Sequence, residues 1–506
     1  MTKQKKTGLV NRFFRAVALI IGYPIAAILV IGMIGLILRY VQVELRSPPV
    51  SEEHLAYKQN YLQSVTPAPK SAPNVIVIFF DDLGWGDLSS YGSKTIDTPH
   101  IDQVAHEGVL LTDFYSASPV CTPSRAALLT GRYPPRTRTD RHVYFPDDSL
   151  IGKLRRMVGW ANALPKEEIT FAEVLGQAGY RTGMIGKWHL GDSEGYRPND
   201  FGFDSWYGVL FSNDMFPLNM YQDETVVIQD ERIGSFFSSE RDEAAPLEGK
   251  GIDQTELTQL YTNQAISFLE KKGDKPFLLY LSHSFPHVPH YSSQDHTNTS
   301  DGGVYGDVVE DLDRSTGQIM AALKRLNLDE NTLVMITSDN GADYNGSPGA
   351  LRGRKGDIWE GGQRVPMIVR WPNQITPGSV SGEMAMNTDI FPTLLGLAGQ
   401  SLPGDRIIDG KDIASFLRGK TNSPHDYVYY FPVMDSLPGA IRDDRFKLMW
   451  KTGDVGRNRS HFSRLGSDAE NHEIRNLFPK EAEVLEKRLE DMRDEFSETP
   501  RGWLGI

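Results

Sequence analysis

Asn74-Val-Ile-Val-Ile-Phe-Phe80, followed at once by Asp81-Asp82, decides the fold. The apolar run has strand length and no polar alternation, which predicts a strand buried on both faces, as in a parallel sheet covered by helices. The same grammar repeats downstream. Thr170-Phe-Ala-Glu173 is a capping box opening a short helix that ends by Gly179. Tyr180 to Leu190 and Phe277 to Ser282 read as strands, while Val308, Leu312, Ile319, Leu323 and Leu326 keep one face of a long helix. Thr332 to Thr337 is a further strand, ending at Asp339-Asn340-Gly341. This alternation predicts an α/β fold with a central sheet flanked by helices. After about Lys420 the pattern changes. Tyr427–Phe431 and Phe446–Trp450 read as strands and Glu481–Phe496 as a charged amphipathic helix, giving a small α+β domain with an antiparallel sheet.

The chain has 506 residues and a formal charge of −13, which gives no support to nucleic-acid binding. Between Arg15 and Arg39 the uncharged stretch Ala16–Leu38, 23 residues, is preceded by Lys3, Lys5, Lys6, Arg12 and Arg15. At about 1.5 Å per residue it suffices to cross a hydrocarbon core of roughly 30 Å, with the N-terminus cytoplasmic. A cleaved signal peptide is the rival reading, but the stretch is long for one and lacks a small-x-small cleavage motif. The expected organisation is a cytoplasmic segment 1–15, an anchor 16–38, a proline-punctuated linker 39–73, a catalytic domain 74–420 and a C-terminal subdomain 421–506. The expected location is single-pass membrane-anchored, with the body periplasmic or extracellular. Such compartments permit disulfides, yet Cys121 is the only cysteine.

Asp81-Asp82 and Asp339-Asn340 both stand at predicted carboxyl ends of strands, where open α/β sheets bind ligands. Each pair alone is compatible with an Asx-turn or a helix cap; together they offer hard oxygen ligands for Ca²⁺ or Mg²⁺. Cys121 opens Cys-Thr-Pro-Ser-Arg-Ala-Ala-Leu-Leu-Thr-Gly-Arg132. Pro123 disfavours helix at Thr122, which predicts the thiol on a turn at the N-terminus of a helix begun by Ala126 to Leu129. In Gly186-Lys-Trp-His-Leu-Gly191 the strand period places Lys187 and His189 on one face. Phe285-Pro-His-Val-Pro-His290 adds His287 and His290 close to His283, and Leu351-Arg-Gly-Arg-Lys-Gly356 leads into Glu360-Gly-Gly-Gln-Arg-Val-Pro366. Surface or core packing would account for each of these segments taken singly.

The Cys121–Arg132 segment closely resembles the maturation signature of the sulfatase family: Cys or Ser, any residue, Pro-Ser-Arg, three variable positions, then Leu-Thr-Gly-Arg. Gly-Lys-Trp-His-Leu-Gly is similar to a second block of that family and the Leu351–Pro366 region to a third. The resemblance runs from about Asn74 to the C-terminus and is weakest in Asp147–Trp160 and Phe211–Lys250, where substrate selectivity is expected. It implies an alkaline-phosphatase-like domain with a central mixed, mostly parallel sheet. It also implies oxidation of Cys121 to Cα-formylglycine by a maturation enzyme, the hydrated aldehyde being the nucleophile. Further implications are a divalent cation, usually Ca²⁺, at Asp81, Asp82, Cys121, Asp339 and Asn340, and sulfate contacts from Lys187, His287 and Lys355. Arg125 would add positive charge, His189 would hydrogen-bond the diol, and His287 would protonate the leaving oxygen; His283 and His290 carry no firm role. The implied substrate is a sulfate monoester of an aryl group or a carbohydrate. A phosphonate monoester or phosphodiester hydrolase is the enzymatic alternative, because relatives share the fold. A membrane-anchored sulfoglycan-binding protein with an unconverted cysteine is the non-enzymatic one.

Overall fold

A computed structural model describes residues 19, 23–44 (backbone only beyond 35), 50–147, 149–230, 251–271, 273–450, 460–466 and 470–505. Eleven strands form one sheet: β1 Asn74–Phe80, β2 Val109–Tyr115, β3 Arg181–Lys187, β4 Ser205–Val209, β5 Met220–Gln222, β6 Thr225–Ile228, β7 Phe277–Ser282, β8 Thr332–Ser338, β9 Arg364–Arg370, β10 Ser379–Ser381 and β11 Ala385–Met386. Their order is β10-β2-β9-β8-β1-β7-β3-β4-β5-β6, with β11 beside β2. The centre, β8-β1-β7-β3-β4, is parallel, and β9 runs antiparallel between β2 and β8.

β1 explains why its sequence lacks alternation. Val75, Val77 and Phe79 enter one core, with residues of the helices Cys121–Thr130, Phe171–Gln177 and Ile390–Leu397. Ile76, Ile78 and Phe80 enter the other, with the helices Pro99–His106, Leu257–Glu270 and Gly303–Arg325. Each of these six side chains is at most 1% exposed, a burial that contributes about 1.5–3 kcal/mol apiece. The Thr170 capping box forms: its hydroxyl accepts from Glu173 N at 3.2 Å, and the Glu173 carboxylate accepts from Thr170 N at 3.0 Å.

The C-terminal region builds an antiparallel sheet, β12 Val428–Tyr430, β13 Ala440–Arg442, β14 Phe446–Met449 and β15 His461–Arg464, covered by the helix Pro479–Glu498 through Ala482, Leu485 and Leu489. Buried Glu360 ties it to the large sheet. The carboxylate accepts from Tyr430 (2.6 Å) and Lys447 (3.0 Å) on one oxygen and from Tyr115 (2.7 Å) on the other.

Two N-terminal expectations change. Part of the linker is a helix, Glu52–Ser64, fastened to the domain. His54 stacks on Trp503 with centroids 3.9 Å apart and lies 2.9 Å from Asp405, and Lys58 pairs with Glu173 at 2.6 Å. Of the expected anchor Ala16–Leu38, residues 16–18 and 20–22 lie outside the described residues, and Tyr23–Leu38 belongs to the helix Tyr23–Glu44. Among the described residues, no helix is long and apolar enough to cross a membrane.

His425 gives a pH-dependent contribution to stability away from the site. Burial opposes its protonation, but Asp389, 2.8 Å from Nε2, raises its pKa above 6.5. Stability from this pair is fully present below the unfolded value and is lost as pH climbs through the raised folded value. His425→Gln should therefore lower the thermal midpoint by about 1–3 °C near pH 6 and by much less near pH 9, measured by calorimetry at both pH values.

Candidate active site

Strand register brings the separated motifs level. Phe80 pairs with Ser338, Phe79 with Ser282, and Gly186 with Ser282, so β1, β8, β7 and β3 end along one edge. Asp81, Asp82, Asp339, Asn340 and Lys187 all stand on that edge and are buried. Asp82 turns away from its strand at φ +67°, a left-handed conformation rare outside glycine, fixed by Asp339 Oδ1 accepting from its backbone N–H at 3.1 Å. Asn340 Nδ2 donates to Asp82 Oδ1 at 2.7 Å.

Cys121 is itself the first residue of the helix Cys121–Thr130, with Val120 as N-cap, so the predicted turn lies one residue earlier. Pro123 is accommodated because a first-turn N–H has no intrahelical partner to lose. The helix N-terminus favours a thiolate, yet burial outweighs it and pushes the thiol pKa up to about 12. Ligand atoms of Asp81, Asp82 and Cys121 lie within 4.8 Å of one another.

Three cations face the three carboxylates. Arg125, fully buried, donates Nε (3.1 Å) and Nη2 (2.7 Å) to Asp339 Oδ2, and Nη1 to Ser282 Oγ (2.5 Å) and the Lys187 carbonyl (3.2 Å). Lys187 Nζ donates to Asp81 Oδ2 and, at 3.2 Å, to Ser212 Oγ. Lys355 Nζ pairs with Asp82 Oδ2 at 2.7 Å, its side chain 23% exposed. Burial disfavours the charged form of Asp81, but Lys187 and Arg125 hold its carboxyl well below the usual range. Burial opposes the charge on Lys355, but its anionic neighbours together, Asp82 foremost and Asp81 after it, raise it well above its ordinary value.

The predicted strand Tyr180–Leu190 stops at Lys187, and His189 follows at φ +62°. The two side chains therefore do not share a strand face. Gly186, at φ +106°, lies so close to β7 that a Cβ there would stand 1.8 Å from the Ser282 carbonyl. His189 Nε2 lies 3.2 Å from the Tyr144 carbonyl, which can only accept, so Nε2 carries the proton and Nδ1 is the acceptor. Burial, reinforced by Lys187 and Arg125, holds this imidazole neutral. His287 Nε2 is 3.7 Å from Asp82 Oδ2, and its Nδ1 is 3.3 Å from Ser212 Oγ. His283 stacks on Phe80 inside the apolar core and His290 packs edge-on against Tyr305; neither is hydrogen-bonded to the acidic cluster.

Ser212 and Ser282 went unread in the sequence. Ser282 ends β7, and Ser212 follows β4, the neighbour of β3, so both occupy the same edge. That position was the available signal for each. Whether this pocket suits a divalent cation is tested by its orphaned acceptors. Asp81 Oδ1 and Asn340 Oδ1 are buried and have no hydrogen-bond partner among the described residues, although Arg125 Nη2 lies 3.5 Å from the former. Unfilled anionic and amide oxygens beside further carboxylates fit a hard cation.

The sulfatase family model matches residues 73–400, and that of the N-sulphoglucosamine sulphohydrolase C-terminal region matches residues 354–497. Steryl-sulfatase of Rattus norvegicus is 36% identical over 461 residues, covering 78% of each chain. N-acetylgalactosamine-6-sulfatase of Canis lupus familiaris is 37% identical over 373 residues, covering 71% of this chain and 68% of its own length. A solved Bacteroides thetaiotaomicron sulfatase, from work on the metabolism of multiple glycosaminoglycans, superposes with a TM-score of 0.74 at 27% identity, covering 84% of this chain and all of that one. The phosphonate monoester hydrolase of Agrobacterium radiobacter, TM-score 0.60 at 20% identity over 84% of this chain and 96% of that one, shares the fold. With its motifs gathered on one sheet edge, the chain belongs to the sulfatase family and is a sulfatase.

Proposed function

We propose that this sulfatase hydrolyses sulfate monoesters of aryl alcohols or carbohydrates through Cys121 converted to Cα-formylglycine by a maturation enzyme, with Ca²⁺ as the cation. The observation that carries this reading is the state of Cys121: buried beside Asp81 and Asp82, with its pKa pushed up to about 12 by burial, an unmodified thiol is not a thiolate nucleophile at neutral pH. A hydrated aldehyde in the same place offers a hydroxyl instead. The cation would be held by Asp81, Asp82, Asp339 and Asn340, and when bound it supplies charge compensation for a sulfuryl oxygen and acidifies a neighbouring hydroxyl.

The chain's own residues supply the rest. Asp339, beside Asp82, is placed to take a proton from the attacking hydroxyl, and Arg125 holds its orientation through two hydrogen bonds. Lys187 and Lys355 present positive charge to the sulfuryl oxygens before reaction begins, a preorganised field that solvent cannot match. His287 protonates the departing alcohol, and Ser212, between His287 and Lys187, orients both. His189, neutral with Nδ1 as acceptor, takes the proton from the second hydroxyl as sulfate leaves. N-terminal membrane anchoring, with the body outside the cytoplasm, completes the proposal.

Two measurements test it. Hydrolysis of 4-nitrophenyl sulfate should exceed that of 4-nitrophenyl phenylphosphonate in kcat/KM; the reverse order would favour the phosphonate monoester hydrolase reading. Lys355→Ala should lower kcat/KM for the sulfate ester by about 10²-fold or more, judged by the loss of one oxyanion donor, while thermal stability changes little because the side chain is partly solvated. Unchanged kinetics would place the sulfate pocket elsewhere.

A further inference from the structure

The helix Leu150–Met157 lies outside the site and presents an exposed apolar stripe. Leu150, Leu154 and Val158 recur at every fourth residue and are 62%, 48% and 59% exposed, while Gly152 and Arg155 on the opposite side are buried. The helix is well formed: the Ser149 hydroxyl caps it by accepting from Gly152 N at 3.0 Å. Arg155 anchors it inward by donating to the carbonyls of Arg141 and Ala161 and lying over the Tyr144 and Trp160 rings. In a chain of charge −13, this segment carries Lys153, Arg155 and Arg156 and no acidic residue. Lys153 flanks the exposed stripe.

The helix Tyr23–Glu44 lies against it. There the consecutive residues Ile28, Leu29, Val30 and Ile31 are 68%, 67%, 48% and 68% exposed, so the apolar surface runs all round that helix. A protein partner covers one stripe of a helix; a surface apolar on every side suits lipid. The two exposed apolar surfaces are neighbours, and the helix Leu150–Met157 carries the cations that complement an anionic headgroup layer.

We propose that Leu150–Met157 is an interfacial helix, seating Leu150, Leu154 and Val158 at the acyl boundary of an anionic bilayer and Lys153 at the headgroups. Tyr144, whose carbonyl holds His189, lies in the stretch that leads into this helix, so the chain links the helix directly to the catalytic pocket. This rests on the membrane location proposed above, and the experiment separates the two.

The full chain carrying Leu154→Cys or Val158→Cys, labelled with a nitrobenzoxadiazole fluorophore, is reconstituted in vesicles of phosphatidylcholine and phosphatidylglycerol. The comparison site is Lys487→Cys on the C-terminal helix, 74% exposed and distant in sequence. Wild-type hydrolysis of a soluble aryl sulfate by each labelled chain verifies folding. Nitroxide-bearing lipids should quench positions 154 and 158 at least about twofold more than 487, and more strongly with phosphatidylglycerol than without it. A chain that floats with the vesicles but shows equal quenching at all three positions overturns the interfacial helix and leaves the anchor standing. A blue-shifted label at 154 that lipid nitroxides do not quench overturns it in favour of a second protein copy. A chain that fails to float overturns both proposals.

Discussion

Cys121→Ala is expected to lower turnover of a sulfate ester by roughly 10⁴-fold or more while leaving the fold intact, because the residual rate would come only from binding and electrostatics. The side chain removed is small, and its neighbours Asp81 and Asp82 keep Lys187 and Lys355 as partners. Cys121→Ser is equally informative: a buried hydroxyl in the same place should not restore activity unless the maturation enzyme accepts serine. Mass spectrometry of the peptide containing residue 121 reads the outcome directly. An active wild-type preparation should show the aldehyde or its hydrate, and a fully active preparation with an intact thiol would end the covalent proposal.

The second large effect belongs to Arg125. Its guanidinium is 0% exposed and satisfies Asp339, Ser282 and the Lys187 carbonyl at once, while lying over the Phe79 ring. Arg125→Ala would leave Asp339 buried without its main partner, where burial, and after it Asp81, already push the Asp339 carboxyl up to about 7. Removing one member of such a buried pair costs about 3–5 kcal/mol, so the variant should unfold at markedly lower temperature or denaturant. Arg125→Lys keeps the charge but not the planar fork, and cannot hold Asp339, Ser282 and the carbonyl together. It should fold, with kcat/KM reduced by about 10²-fold. Wild-type kinetics in the lysine variant would mean that Arg125 serves packing alone.

The residues that could be read from sequence are those whose chemistry and place coincide. β1 was legible because a strand feeding two cores must be apolar at every position, and Asp81-Asp82 stood out against it. Asp339-Asn340 followed by the same logic. The roles of Cys121, Lys187 and Lys355, by contrast, came from family motifs, since a lone thiol or a basic loop carries no such signature. His189 was misplaced on a strand face because periodicity cannot anticipate a left-handed residue just past the end of β3. The helix Glu52–Ser64 escaped because it has no apolar period: its buried side chains are His54 and Lys58, held by ion pairs to residues far along the chain. Ser212 was hidden for a related reason, since a lone serine after a strand has meaning only once β4 is known to lie beside β3.

The burial of Cys121 also sets an order of events in time. At 2% exposure, under a sheet edge closed by four strands, its side chain is out of reach of any modifying enzyme once the domain has folded. If Cys121 is converted as proposed, conversion therefore has to come first, on a chain still open. Contacts between distant parts of the chain close this region. Arg132, in the same motif, is enclosed by Glu168 and by the Arg501 carbonyl, and His54 finds its stacking surface only in Trp503. Contacts made by Arg501 and Trp503 thus hold segments hundreds of residues earlier in the chain, and under the formylglycine proposal the modification would precede this long-range closure.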